Sequence, residues 1–267
     1  MNNKIKICIT LIRTNGFRLF IIKLIKKIFR VGMYRPMKDF KNIELFFYKK
    51  YGLEIGGPSS IFLKNRFIPV YDKMESLDGV NFSKNTIWSN SSELDNNFYI
   101  EKNKKVGKLY IADATDLQSI QKKNYDFVLS SNNIEHIANP IKAIEEWLSV
   151  LKDGGVLVVV APKKESNFDN KREVVTFEHL LNDYRKNTKE DDLSHLNEIL
   201  SFHDLKMDLA TDNIEEFKKR SLNNFQNRCL HQHVFDLNVL QKIYQYFKLS
   251  ILKTTETDDD YIIIGEK

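Results

Sequence analysis

Short apolar runs alternate with helical patterns along most of this 267-residue chain, and this alternation restricts its fold more than any other feature. The pattern of Pro140–Leu151 places apolar residues on one helical stripe, and Asp153-Gly154-Gly155 ends it before an unbroken β-branched run. Apolar strands separated by helices indicate a parallel sheet that is covered on both faces. The predicted strands are Tyr51–Ile55, Phe67–Tyr71, Leu109–Ala112, Asp126–Ser130 and Val156–Val160.

The end of the chain predicts an antiparallel strand pair. Phe247–Leu252 and Tyr261–Gly265 are apolar runs on either side of the acidic turn Thr254–Asp260. We therefore expect an α/β fold with a doubly wound, mostly parallel, seven-stranded sheet. Residues 81–108 and 163–235 do not follow this scheme. Because insertions at the carboxyl edge of an open sheet usually hold substrate, we interpret 163–235 as a substrate-binding insertion.

Positive charge is concentrated at the N-terminus. The chain carries 41 basic and 36 acidic residues, and residues 1–38 contain ten of the basic and none of the acidic ones. The remainder is mildly acidic, which argues against nucleic acid as a partner. Within 14–30, apolar residues have helical spacing and basic residues occupy the other face. Residues 1–48 are therefore predicted to form a basic amphipathic segment before a domain at 49–267.

The basic segment has two interpretations, which are peripheral contact with an anionic membrane and packing against the domain. No apolar run in the sequence is long enough to span a bilayer. Two cysteines, Cys8 and Cys229, cannot form a disulfide framework. We therefore expect a cytoplasmic protein, with peripheral contact at the inner face of the membrane through residues 1–38 left open.

Acidic residues and glycines follow several predicted strands. Glu54-Ile55-Gly56-Gly57 ends the first, Asp72 follows the second, and Asp113-Ala114 follows the third. Ser130 and Ser131 end the fourth. Glycine lets the backbone turn sharply and lets a ligand approach, and an acid about 20 residues later can accept hydrogen bonds from ribose hydroxyls.

In this order and spacing the motifs resemble class I S-adenosylmethionine (SAM)-dependent methyltransferases, close to the type-11 domain family. The segments IADATDL and YDFVLSSNNIEHIANPIKAIEEWLSVLKDGGVLVVVAP carry the resemblance over about residues 50–165. LEIGGPSSIF, EDDLSHLNEILSFHDL and NRCLHQHVFD also resemble a bacterial subgroup associated with surface-polysaccharide genes. The resemblance implies a Rossmann-like sheet, SAM as the cofactor, and a small-molecule or glycan acceptor.

The resemblance also implies roles for individual residues. It places Glu54, Gly56 and Gly57 near the methionine part of SAM and Asp72 at the ribose. It places Asp113 at the adenine amino group with Ala114 beside the ring, and Ser130 and Ser131 beside the transferred methyl group. Pro58 and Ser60 stand where the family motif has glycine, and Pro58 removes a backbone donor.

Four histidines are candidates for a catalytic base, because a hydroxyl acceptor must lose its proton during methyl transfer. They are His136, His195, His231 and His233. His136 is open between a role near the acceptor and a packing role. Asp191, His195 and Glu198 have the spacing of one helix face, and His231 and His233 share a face if their segment is extended. A metal site of these groups with His203 and Asp204 is an alternative, although we expect none.

The sequence thus predicts a SAM-dependent methyltransferase acting on a sugar or polysaccharide precursor. A non-catalytic SAM-binding or scaffold protein is the alternative, because of Pro58 and Ser60. An NAD enzyme is disfavoured because the chain lacks a G-x-G-x-x-G motif.

Overall fold

The computed structural model describes residues 36–84, 96–101, 104–208 and 210–267. The predicted amphipathic helix at 14–30 lies outside the described residues. Within the described part of the chain, no helix has the length and hydropathy needed to cross a membrane.

One eight-stranded sheet forms the centre of the molecule. Its strands are β1 (Tyr51–Ile55), β2 (Ser76–Asn81), β3 (Asn97–Glu101), β4 (Lys104–Ile111), β5 (Tyr125–Ser131), β6 (Leu151–Pro162), β7 (Ser250–Glu256) and β8 (Asp260–Glu266). They lie in the order β3-β4-β2-β1-β5-β6-β8-β7. The neighbours from β4 to β6 are parallel, whereas β3, β8 and β7 pair antiparallel. The predicted α/β class and the closing antiparallel pair are confirmed, and β3 is an additional edge strand.

The predicted second strand, Phe67–Tyr71, is wrong. Pro69 has no N–H to donate to a ladder, and Val70–Asp72 forms a 3-10 turn instead. The run is apolar because its side chains are buried against the sheet. The true second strand, Ser76–Asn81, contains residues with low strand propensity and forms because β1 and β4 bond to it on both sides.

Helices cover the sheet and continue into the insertion. The helix at Pro140–Val150 starts where Asn139 accepts a hydrogen bond from Lys142 N–H at 3.1 Å and Pro140 occupies the first turn. The helices are α1 (Phe40–Ile43), α2 (Pro140–Val150), α3 (Phe177–Lys186), α4 (Leu196–Phe202), α5 (Ile214–Leu222), α6 (Asn224–Asn227) and α7 (Leu237–Tyr246).

Each face of the sheet has its own apolar core. One contains Trp147 and Tyr244, and the other contains Phe62 and Phe127. The second core also includes Met37, Phe40, Ile43 and Phe47. The described residues before β1 therefore pack with the domain rather than standing apart from it.

Candidate functional site

A cavity of about 650 Å³ opens at the carboxyl ends of β1, β2, β4 and β5. This is the edge at which doubly wound sheets bind their ligands. Its lining combines the loop after β1, the ends of the neighbouring strands and residues from the insertion. The cavity is therefore formed by both the sheet and the insertion.

The loop after β1 requires both of its glycines. Gly56 has φ of +78°, in the left-handed region that favours glycine. A Cβ at Gly57 would lie 2.2 Å from the Glu54 carboxyl carbon. Both glycines line the cavity, so a ligand there meets backbone rather than side chains.

Glu54 lies beneath this loop and is fully buried. Its Oε2 accepts a hydrogen bond from the Tyr71 hydroxyl at 2.6 Å, and that hydroxyl accepts one from Ser59 N–H at 2.8 Å. Burial raises the pKa of Glu54 to about 7, although the bonds from Tyr71 and Ser59 oppose the shift. Glu54 is not among the described residues that line the cavity, so it contacts the loop and not the ligand space.

The structure does not bring Asp72 to the cavity. The residue precedes β2, is half-exposed, and its carboxylate lies 3.5 Å from Lys64 Nζ. The prediction placed it at a strand end because the second strand was misassigned. Asn81 and Phe82 occupy the carboxyl end of the true β2 and line the cavity. The Asn81 amide donates to Gly57 O at 3.4 Å, so it contacts the glycine loop.

Asp113 and Ala114 line the cavity beyond β4, as the sequence predicts for an edge position. Asp113 Oδ1 accepts hydrogen bonds from the Thr115 N–H and hydroxyl, and Oδ2 lies 3.0 Å from Arg228 Nη1. Burial alone would raise the pKa of Asp113, but these partners lower it, so the carboxyl is ionised. Arg228 also lies 3.4 Å from Glu190 Oε2. The insertion thus places a cation between two carboxylates.

The serines at the end of β5 differ in position. Ser131 lines the cavity, whereas Ser130 is buried and its hydroxyl lies 3.4 Å from Asn133 Nδ2. A Cβ at Gly56 would also meet the Asn133 side chain, at 2.8 Å. Ser130 therefore supports the packing of the two loops rather than the cavity surface.

His136 and His231 are the two candidate bases that line the cavity. Their ring centroids are 4.5 Å apart, and the His136 Nδ1 is 3.0 Å from Leu230 O. Burial and the nearby His231 lower the pKa of His136 to about 3, so this ring is neutral. Glu135 lies beside them, and burial raises its pKa to about 7.

His231 is held by a carboxylate. Asp169 Oδ2 lies 2.5 Å from His231 Nδ1 and Asp169 Oδ1 accepts from Arg172 Nη1 at 3.0 Å. Burial alone would lower the pKa of His231, but Asp169 reverses the direction and raises it. The contact leaves Nε2 as the nitrogen that can take a proton from a bound group. A paired carboxylate and imidazole at a cavity wall is the arrangement of a general base.

His195 and His233 lie outside the lining of the cavity, in a second cluster with His179 and Asp183. His195 is the residue before α4, so Asp191 is not on that helix, and the predicted shared face of Asp191, His195 and Glu198 is wrong. His203 is paired with Asp208 instead. His231 and His233 therefore belong to different clusters although they are two residues apart.

Sequence reasoning missed Asp169, Arg228 and Glu135. Glu135 lies in the segment beginning YDFVLSS that carries the family resemblance, so its position after β5 was a usable signal. Asp169 and Arg228 lie in the insertion, where no periodicity shows which residues turn toward the sheet.

The fold and the cavity define a class I methyltransferase architecture, with a glycine loop after β1 and an acid after β4. A family model described as a methyltransferase domain matches residues 71–159, which include β2, β3, β4, β5, α2 and most of β6. The protein is a SAM-dependent methyltransferase, and SAM is its cofactor.

Several solved structures are similar to this chain at low sequence identity. A SAM-dependent methyltransferase from Archaeoglobus fulgidus is 15% identical over 97% of this chain and 98% of its own, with a TM-score of 0.44. The N-methyltransferase NodS from Bradyrhizobium japonicum WM9 is 10% identical over 86% and 92%, with a TM-score of 0.45. A SAM-dependent methyltransferase from Aquifex aeolicus is 12% identical over 86% and 89%, with a TM-score of 0.44. No curated protein sequence matches the chain.

Proposed function

We propose that this methyltransferase transfers the methyl group of SAM to a hydroxyl oxygen of a sugar or glycan precursor. The observation that carries the proposal is the Asp169–His231 pair, whose histidine lines the cavity. Methyl transfer from a sulfonium is an in-line displacement, so the protein mainly aligns the acceptor and excludes water. A hydroxyl acceptor needs a base in addition, whereas a carboxylate acceptor does not.

His231 is the proposed base, because it is the cavity histidine whose Nδ1 contacts an ionised carboxylate. Asp169 is a positioning residue that fixes the ring, and His136 is a neutral neighbour that shapes the pocket. His195 and His233, which the sequence also proposes as bases, are not among the described residues that line the cavity, so we do not assign them this role. The sugar acceptor rests on the subgroup resemblance and on the polar lining, which includes Ser131, Asn132, Asn133, Asn167 and Thr257.

The proposed cofactor site uses the opposite part of the cavity. Gly56 and Gly57 face the methionine part, and Asp113 accepts from the adenine amino group with Ala114 beside the ring. Asn81 takes the ribose position proposed for Asp72, since its amide can donate to and accept from hydroxyl groups. Ser131 lies at the strand end proposed to be nearest the methyl group. Glu54 and Ser130 act through the loops that they support.

Calorimetry with SAM tests the cofactor half of this proposal. Asp113→Asn removes the charge but keeps an oxygen for the Thr115 bonds, so the variant should fold. The loss of a hydrogen bond to a charged group costs roughly 1.5–3 kcal/mol, which weakens SAM binding about tenfold or more. Asp116→Asn in the same loop is the matched control and should bind SAM normally, because Asp116 is exposed and outside the cavity lining. Equal affinity in the two variants would contradict the assignment.

Transfer of radiolabelled methyl from SAM tests the acceptor half. Sugars, sugar nucleotides and oligosaccharides are compared with carboxylate and amine acceptors, and a base-stable product identifies an ether rather than an ester. His231→Ala and Asp169→Asn should each lower kcat by about 10²–10⁴-fold with SAM affinity unchanged. A base-labile product, or full turnover by His231→Ala, would reject a hydroxyl acceptor served by this base.

A further inference from the structure

A cluster of four metal-ligating side chains lies in the insertion, outside the cavity lining. One atom from each of His179, His195 and His233 lies within 4.8 Å of the others. The Nε2 atoms of His179 and His195 are 3.1 Å apart. Asp183 Oδ2 lies 3.2 Å from His179 Nε2 and 3.8 Å from His233 Nε2.

These separations fit one small cation at the centre. Zinc bonds to imidazole nitrogen and carboxylate oxygen are about 2.0–2.2 Å long, so tetrahedral ligands lie about 3.3–3.5 Å apart. Three nitrogen donors and one oxygen donor favour zinc over magnesium or calcium, which prefer oxygen ligands. We propose that His179, His195, His233 and Asp183 form a structural zinc site.

The local fold explains how the ligands converge. His179 and Asp183 are separated by four residues on α3, so they share one face of that helix. His195 is at the start of α4, and His233 lies in the extended segment before α7. Three separate segments of the insertion thus meet at this point, and a four-coordinate ion would tie them together.

The contacts of the buried Asp183 carboxylate suit a cation. Within the described residues Asp183 Oδ2 is buried and accepts no hydrogen bond, and it faces the Nε2 atoms of His179 and His233. The His233 Nε2 also lies 3.3 Å from Ala138 O, whereas the buried Nδ1 of the same ring has no hydrogen-bond partner among the described residues.

The cluster is connected to the proposed base. Glu198 Oε2 lies 3.7 Å from His195 Nδ1, and its Oε1 accepts from Arg172 Nε at 3.0 Å. Arg172 in turn bonds to Asp169 and to the carbonyl oxygen of His231. His233 follows His231 by two residues. A zinc ion would therefore hold the segment that carries the cavity histidine, although its binding does not depend on the reaction proposed above.

Metal content and zinc titration of the full chain, purified without a histidine tag, test the site. We expect one zinc per chain, removal by a chelator with a lower melting temperature, and recovery of both on addition of zinc sulfate. Cobalt in its place should give the intense visible absorption of tetrahedral coordination. Protein that binds no zinc at stoichiometric concentration overturns the proposal.

Two variant pairs locate the ion. His179→Ala should abolish stoichiometric binding and still fold, because the His179 ring is 37% exposed. Asp183→Asn should weaken binding at least tenfold, whereas Glu178→Gln on the same helix should bind as the unaltered chain does, because Glu178 is exposed and paired with Arg185. Zinc that remains bound in His179→Ala and Asp183→Asn would place the ion elsewhere, at Glu135, His136 and His231 in the cavity, and would reject this assignment.

Discussion

Tyr71→Phe removes one oxygen atom that joins Glu54 to the glycine loop. The hydroxyl donates to the buried Glu54 carboxyl and accepts from Ser59 N–H, so the variant leaves one acceptor and one donor without their partners. A hydrogen bond to a charged group is worth roughly 1.5–3 kcal/mol, and a neutral one about 0.5–1.5 kcal/mol. We expect the free energy of unfolding to fall by about 2–4 kcal/mol, a large part of the 5–15 kcal/mol of an ordinary domain.

The loss should depend on pH in a defined direction. The pKa of Glu54 is about 7 in the folded protein and about 4.5 otherwise, so its burial costs stability as pH rises from about 4.5 to about 7. The Tyr71 hydrogen bond lowers this pKa, and its removal raises the pKa further. In Tyr71→Phe the free energy of unfolding therefore continues to fall above pH 7. The difference in this free energy between the variant and the unaltered chain is larger at pH 8.5 than at pH 5.5.

Urea unfolding at these two pH values measures the stability, and calorimetry with SAM measures the effect on the loop. SAM affinity should fall about tenfold, or about 1.4 kcal/mol, because the residues around Ser59 line the cavity. Tyr125→Phe is the matched control, since its hydroxyl donates to Asp78 at 2.7 Å at the other end of the sheet. It should lose stability and keep SAM affinity. Unchanged SAM affinity in Tyr71→Phe would refute this account of the loop. A loss of SAM affinity in Tyr125→Phe as large as that in Tyr71→Phe would refute it as well.

Two further predictions concern acid stability and the N-terminus. Burial would raise the pKa of Asp208, but His203, Ala210 N–H and Arg220 lower it to about 2. The ionised Asp208 contributes about 2 kcal/mol to the free energy of unfolding above pH 4, and this contribution is lost as pH falls toward 2. Asp208→Asn should therefore lower the melting temperature at pH 7 but hardly change it at pH 2. A chain beginning at Pro36 should melt normally, because Met37 and Phe40 remain in the core, but should lose binding to anionic vesicles if residues 1–38 contact membranes. Vesicle binding by the full chain should weaken as the salt concentration rises. If the shortened chain has a lower melting temperature but still binds vesicles, packing of residues 1–38 against the domain is favoured instead.

The sequence alone determined the α/β class, the parallel character of the central sheet and the SAM-dependent class. Strand periodicity and glycine positions are local properties, so Tyr51–Ile55 and Asp126–Ser130 could be read directly. The edge strand Asn97–Glu101 was missed although Phe98, Tyr99 and Ile100 have high strand propensity, because this short run lies in a stretch rich in Asn, Ser and Lys and, among the described strands, pairs only with β4.

Tertiary structure decided what each chemical group does. Phe67–Tyr71 is as apolar as a buried strand, but it is buried beside the sheet without pairing with another strand. Because this segment is not a strand, Asp72 does not follow a strand end and does not lie at the cavity. Glu54 satisfies the expected motif yet contacts Tyr71 and the loop from below. The sequence predicts that His231 and His233, two residues apart, share one face of an extended segment. In the structure His231 contacts Asp169 and His233 lies near Asp183, so the two residues belong to different clusters. Contacts between residues about 50–60 positions apart depend on how the insertion folds back on the sheet, and no local pattern encodes that path.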